Sequence, residues 1–199
     1  MEKEMKKVCV LCFPIMLFLV MTSSARAADW RFPVGLSLIS GMQDITDLYE
    51  SNLKAENPYA DVQSADSIPM GISFTPYIQT DFGLGLGGMV GPVMMIIGDA
   101  SFFNLPVGVD ARYIFIPDAS MSPYVRAGFK YNLAGGDYVE SSTPGLLAGV
   151  GLEFMRTRRV GFGFELAYDT SEIEFEDVAH RNTTKIKPVA LTLSGFAIF

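Results

Sequence analysis

Cysteine, tryptophan and histidine are nearly missing from this chain of 199 residues, which holds two, one and one of them. Cys9 and Cys12 both lie in the first apolar run. The rest of the chain therefore has no disulfide framework, no thiolate nucleophile and no cysteine-based metal site. Long apolar runs are equally scarce. Beyond residues 8–21 nothing approaches the roughly 20 apolar residues that a membrane-spanning helix needs. Phosphate cradles, zinc spacings and nucleophile elbows are absent, and "GLGLGG" (Gly83–Gly88) has no strand–turn–helix context around it. Positive charge is in short supply as well, with 15 Lys and Arg against 22 Asp and Glu.

The first apolar run explains itself. Lys3, Lys6 and Lys7 precede "VCVLCFPIMLFLVM", which gives way to "TSS" and then to Ala25, Arg26 and Ala27. A basic start, a short apolar centre and an A-x-A site predict a secretory signal peptide over residues 1–27, with a single mature domain over 28–199. Its removal takes four basic and two acidic residues and leaves a net charge of −9, which argues against nucleic acid as a partner. The whole chain is 49% hydrophobic with a mean hydropathy of +0.28. For an exported chain, hydrophobicity that is dispersed rather than gathered into helices points to a closed β-barrel.

Period-2 alternation is what the chain has in quantity. "VGFGFELAYD" sets Val160, Phe162, Phe164, Leu166 and Tyr168 on one face, and Gly161, Gly163, Glu165, Ala167 and Asp169 on the other. "YVRAGFKYNL" and "VGVDARYIF" divide in the same way, with Arg126, Lys130, Asp110 and Arg112 on their polar faces. Such runs predict eight strands, near 32–42, 68–79, 84–97, 104–116, 122–133, 144–155, 160–170 and 184–199. Connections after even-numbered strands are brief, and those after odd-numbered strands are mostly longer. That is the asymmetry of an up-and-down barrel in a membrane. One face is apolar without charge and the other is small or charged, so the expected fold is all-β: an eight-stranded antiparallel up-and-down transmembrane β-barrel with lipid outside. Pro76 and Pro92 fall inside strands and predict bulges or breaks. Aromatics at strand ends, among them Trp30, Phe32, Tyr124 and Phe199 at one level and Phe102, Phe103, Tyr138 and Tyr168 at the other, predict two interfacial belts.

The chain ends "TLSGFAIF", with apolar residues at every second position up to a terminal aromatic. With the signal peptide and eight alternating strands, this tail resembles the small outer-membrane barrels of Gram-negative bacteria, the OmpA, OmpX and OmpW group. The resemblance implies location in the cell outer membrane and contact with outer-membrane lipid. It also implies that Phe199, Leu193 and Leu191, with Val189, Gly195 and Ala197, serve as the signal read by the barrel-assembly machinery.

Inside such a barrel, Asp110, Arg112, Arg126, Lys130, Glu153, Glu165 and Asp169 are expected to form a coupled ion-pair network, because an isolated enclosed charge costs several kcal/mol. The expected role is structural or surface-interacting, with a lumen filled by side chains, in a monomer without cofactor or metal. A narrow, porin-like pore for small solutes stays open as the alternative, since Gly108, Gly128, Gly149, Gly151, Gly161 and Gly163 face the interior. A lipid A-modifying barrel enzyme is a third reading. It is disfavoured because the single histidine, His180, is followed two residues later by Asn182 and has no nearby serine in sequence. The acidic first loop (Asp44, Asp47, Glu50, Glu56, Asp61, Asp66) contains a helical spacing of Ile45, Leu48, Tyr49 and Leu53 but lacks the close carboxylate spacing of a calcium loop. Finally, strands seven and eight are expected to project as a charged ribbon. A register in which paired numbers sum to 361 sets Glu174 against Lys187 and Glu176 against Lys185. The surface partner is not legible.

Overall fold

The computed structural model describes residues 29–59, 70–97 and 100–199; the expected signal peptide lies outside them. Eight antiparallel staves close into a barrel. Stave one is β1 (Asp29–Arg31) with β2 (Pro33–Ile39), and stave two is β3 (Met70–Phe74) with β4 (Tyr77–Gln79). Stave three is β5 (Leu84–Val90) with β6 (Val93–Ile97). Staves four to eight carry β7 (Ala100–Ile114), β8 (Met121–Gly136), β10 (Gly145–Phe154), β11 (Gly161–Asp169) and β14 (Leu191–Ile198). The final strand pairs with β2, Ser194 against Ser37, and β1 pairs with β4, Trp30 against Ile78, so no stave is left at an edge. Among the described residues no helix is long and apolar enough to cross a membrane.

The alternation read from the sequence is the alternation of the wall. Phe162, Phe164, Leu166 and Tyr168 are exposed, whereas Gly161, Gly163, Glu165 and Asp169 are buried. Prolines set the breaks. Stave two is interrupted at Thr75–Pro76 and stave three at Gly91–Pro92, because proline has no N–H to give to a ladder. The second break opens a seam. Among the described residues β3 here meets β5 through Phe74↔Val90 alone, and β6 pairs only with β7.

Above the membrane band, staves six, seven and eight continue as a three-stranded sheet in the order β13–β12–β9. Its strands are β9 (Val139–Thr143), β12 (Glu172–Asp177) and β13 (Asn182–Ile186). The expectation of one unbroken eighth strand over 184–199 is corrected. Residues 187–190, with Pro188, separate β13 from β14. Stave one does not rise as far. It stops at Ile39 and turns at Gly41 (φ 88°) into α1 (Met42–Glu56). The left-handed turn and a close approach both demand glycine there, since a Cβ would stand 2.2 Å from the Lys187 carbonyl oxygen.

Helix α1 lies across the mouth. Met42, Ile45 and Tyr49 are buried against Ile39, Val93, Phe102, Ile173, Phe175 and Ile186, and burial of each large apolar side chain contributes about 1.5–3 kcal/mol. Asn52 bolts the helix to the ribbon. Its amide donates to the Glu176 carbonyl (2.7 Å) and its Oδ1 accepts from the Val178 N–H (2.9 Å). This apolar cap corrects the belt assignment of Phe102 and Tyr138, which pack in or against it rather than at a lipid interface.

The ribbon register is also corrected. Phe162 faces Ala197, Leu166 faces Leu193, and Glu174 faces Lys185, so partner numbers sum to 359. Glu176 therefore meets Thr183, and Lys187 reaches Glu172 (3.9 Å). Lipid burial penalises a one-residue slip, which exchanges the faces, but is blind to a two-residue slip, which preserves them. The hairpin tip decides between the two. Asp177 accepts the His180 N–H (3.0 Å), and Arg181 takes φ 56°, which places the loop at residues 178–181. Cysteines at 174 and 185 are expected to crosslink readily under mild oxidant, and cysteines at 174 and 187 far more slowly. Non-reducing gels of the two double variants check this.

Candidate functional site: the charge-paired lumen

The lumen face of β7 carries Asp110 and Arg112, two residues apart, and β8 carries Arg126 and Lys130. Pairing sets Arg112 directly opposite Arg126, and like charges so placed repel. Carboxylates on both sides resolve the conflict. Arg126 lies 3.1 Å from Asp110 and 2.9 Å from Glu165 of β11. Arg112 lies 3.2 Å from Asp110 and 3.9 Å from Glu153 of β10, and its guanidinium stacks 3.8 Å above the Tyr77 ring. Nearer the cap, Lys130 pairs with Asp169. Asp169 also accepts the Ser171 hydroxyl (3.0 Å), and Asn132 reaches that hydroxyl in turn (2.8 Å). All seven residues singled out in the sequence are thus in the lumen, buried, each with an oppositely charged partner.

Several members of the cluster had no such prominence in the sequence. Arg156 comes from the turn "RTRR" and folds back to pair with Glu153 and to donate to Gln79 (2.6 Å). Its direction depends on Met155 taking φ 56°, which no residue pattern announces. Tyr124 is corrected from the interfacial belt to the lumen, where it is buried and donates to Glu165 (2.7 Å). Tyr77 donates to Glu153 (3.0 Å).

Aromatic rings take much of the space that interior glycines leave. Gly151 pairs across the ladder with Tyr124 and Gly163 with Phe196. A Cβ at Gly151 would meet the tyrosine ring at 2.4 Å, and one at Gly163 would meet the phenylalanine ring at 2.3 Å. A glycine facing an aromatic across two strands is a signal the sequence does contain, but only once the register is known. Asp110 Oδ1 and the Nε groups of Arg112, Arg126 and Arg156 make no hydrogen bond among the described residues.

An apolar exterior around a lumen of paired charges inverts the usual soluble barrel. No family model matches this sequence, and no curated protein matches it. Solved structures do. The outer membrane protein OprG from Pseudomonas aeruginosa aligns over 87% of this chain and 96% of its own, with a TM-score of 0.54 and 14% identity. Neisserial surface protein A (NspA) aligns over 87% and 97%, with a TM-score of 0.51 and 14% identity. The chain folds as a small outer-membrane barrel. At this identity the likeness speaks for architecture alone.

Within this outer-membrane barrel the remaining candidates lie along the last stave and in the cap. Phe199, Leu193 and Leu191 are exposed on the lipid side, and Phe199 exchanges backbone hydrogen bonds with Phe32 (3.1 and 3.4 Å). At the cap end, Glu174 lies 2.8 Å from Lys185. The hydrogen bond from Lys185, with one from Ser141, holds the Glu174 carboxyl below its ordinary range, and the same carboxylate raises Lys185. Burial, helped by its bond to Glu56, pushes the Tyr138 phenol up to about 12. His180 turns its Nδ1 to Asp177 (3.0 Å), while the Thr184 hydroxyl reaches the same carboxylate (3.4 Å). Acid therefore stands between ring and hydroxyl, and the trio shapes a turn rather than activating a nucleophile. Asp61 and Asp66 lie outside the described residues, and among those described no three metal-binding side chains converge.

Replacing Arg126 with Met leaves Glu165 and Asp110 without their shared cation. Because removing one partner strands a buried charge, the variant is expected to lose about 3–5 kcal/mol of stability. Urea unfolding in lipid vesicles, followed by tryptophan fluorescence and by gel mobility before and after boiling, measures it.

Proposed function

We propose that this outer-membrane barrel is closed to solute along its axis and works through the surface of its cap, as a monomer set in lipid. The observation that carries the reading is charge balance. Among the described residues the lumen buries Asp110, Glu153, Glu165 and Asp169 against Arg112, Arg126, Lys130 and Arg156. Charge-selective filters can be built from rings of side chains of one sign, whereas these groups are spent on one another. The cap of α1 and its apolar partners lies over them and supports the same conclusion. Phe199, Leu193 and Leu191, exposed along the last stave, fit the part of a signal for barrel assembly. A role in modifying lipid A draws no support from His180. Purified protein in planar bilayers is expected to give no steady conductance, and sustained single-channel steps would overturn the reading.

A second reading is favoured by the seam between β3 and β6. Backbone groups unpaired at membrane depth are tolerated where they line a cavity, and one of about 90 Å³ lies behind this seam. Ile72, Val90 and Val93 contribute from the wall, and Ser37, Ser194 and Arg126 from the lumen. The volume is well below the ~300–1,000 Å³ of drug-sized sites, which supports a site for a small, mostly apolar solute. Benzene titrated into protein in nanodiscs is expected to bind saturably. Thr192→Phe, which adds a ring to the cavity lining, is expected to weaken that binding; equal binding by both proteins would reject the site.

A further inference from the structure

The cap holds a strand edge with nothing paired to it. β13 is the terminal strand of the upper sheet, and among the described residues its backbone bonds only to β12. The reason is architectural. In the barrel below, stave eight is covered by stave one, but stave one ends at Ile39 and leaves as α1. The place a neighbouring strand would fill is instead an open groove, with Thr184, Lys185 and Ile186 of β13 on one side and Asp44, Asp47 and Leu48 of α1 on the other. Ser40, Gly41 and Ala190 line it where its walls converge.

Exposed edges in soluble sheets are blunted by free lysines, prolines or bulges. Here Lys185 is drawn sideways onto Glu174 and Lys187 towards Glu172. The five-residue edge contains no proline, and its ladder to β12 runs without a bulge. On the facing wall, Asp44 forms no ion pair or hydrogen bond among the described residues, and Asp47 accepts only the Gln43 amide (2.8 Å). The groove thus offers backbone groups along one side, carboxylates along the other, and Leu48 and Ala190 as apolar contacts.

We propose that this groove takes an extended peptide segment of another protein, which adds to β13 as a fourth strand of the upper sheet. Main-chain hydrogen bonds supply the attachment, and alternate side chains supply the choice. Complementarity to Asp44 and Asp47 asks for basic residues at every second position, on the face of the added strand that turns to the helix. The proposal rests on the reading that the cap surface is the working part. It fits the location, because the end bearing the long connections faces outward in such barrels.

The test uses the mature protein in zwitterionic nanodiscs and four fluorescent octapeptides: alternating Lys-Val, the same sequence N-methylated at every second amide in either register, and alternating Glu-Val. Lys-Val is expected to bind saturably, and N-methylation in the register that blocks pairing should cost about tenfold or more in affinity. Glu-Val should not bind, and Asp44→Asn with Asp47→Asn should weaken Lys-Val about five- to tenfold. Both N-methyl registers are made, so that methyl groups on the outer edge of the peptide serve as the control. No binding of Lys-Val, equal binding of both methylated forms and the parent, or equal binding by the Asn variant would each overturn the proposal. Conductance recorded on the same preparations tests the closed lumen separately, so either reading can fall while the other stands.

Discussion

Water is unavailable to a backbone in the middle of a bilayer, and the rest of this molecule follows from that. Every N–H and C=O in the membrane band must find a partner within the protein, which forces strands to close upon themselves. Closure fixes an inside and an outside on each strand, and period 2 sends Phe162, Phe164 and Leu166 to lipid and Glu165 and Asp169 to the lumen. The same constraint explains where the wall can be imperfect. Pro92 breaks stave three beside a cavity, where backbone groups left without a ladder are less costly than against hydrocarbon.

Once charges are confined to a narrow interior, their partners become a matter of geometry. Arg112 and Arg126 face each other, so acids must flank them. Asp110 serves both, and Glu153 and Glu165 take the outer sides. Aromatic rings over Gly151 and Gly163 then fill volume that would otherwise admit water. Two devices thus share the interior, ion pairs drawn from four strands and rings laid over glycines. Close packing serves the ion pairs too, since loosely packed ions lose the short distances that offset their desolvation.

What the sequence makes legible is parity. Faces, stave number, the direction of the lumen charges and the proline breaks at 76 and 92 all follow from alternation and from the chemistry of single residues. Register is a different kind of quantity. The sum of 361 and the sum of 359 bury the same residues, and only the turn built by Asp177 and Arg181 separates them. Residues outside strands escape a parity argument altogether, which is why Arg156 gave no sign of itself. Tyr124 and Phe102 misled for a related reason. An aromatic near a strand end belongs to a lipid belt only if it also points outward, and both lie on inward positions. The helical spacing of Ile45, Tyr49 and Leu53 was readable, but not the surface that would receive it, because that surface comes from residues far along the chain.

That last separation has a temporal meaning. α1 stands between the first and second staves, yet it packs on Phe102, Ile173, Phe175 and Ile186 and is bolted through Asn52 to Glu176 and Val178. None of those residues is in place until the later staves are in place. A helix so early in the chain is therefore among the last elements able to dock, and its docking reports that the barrel behind it has closed.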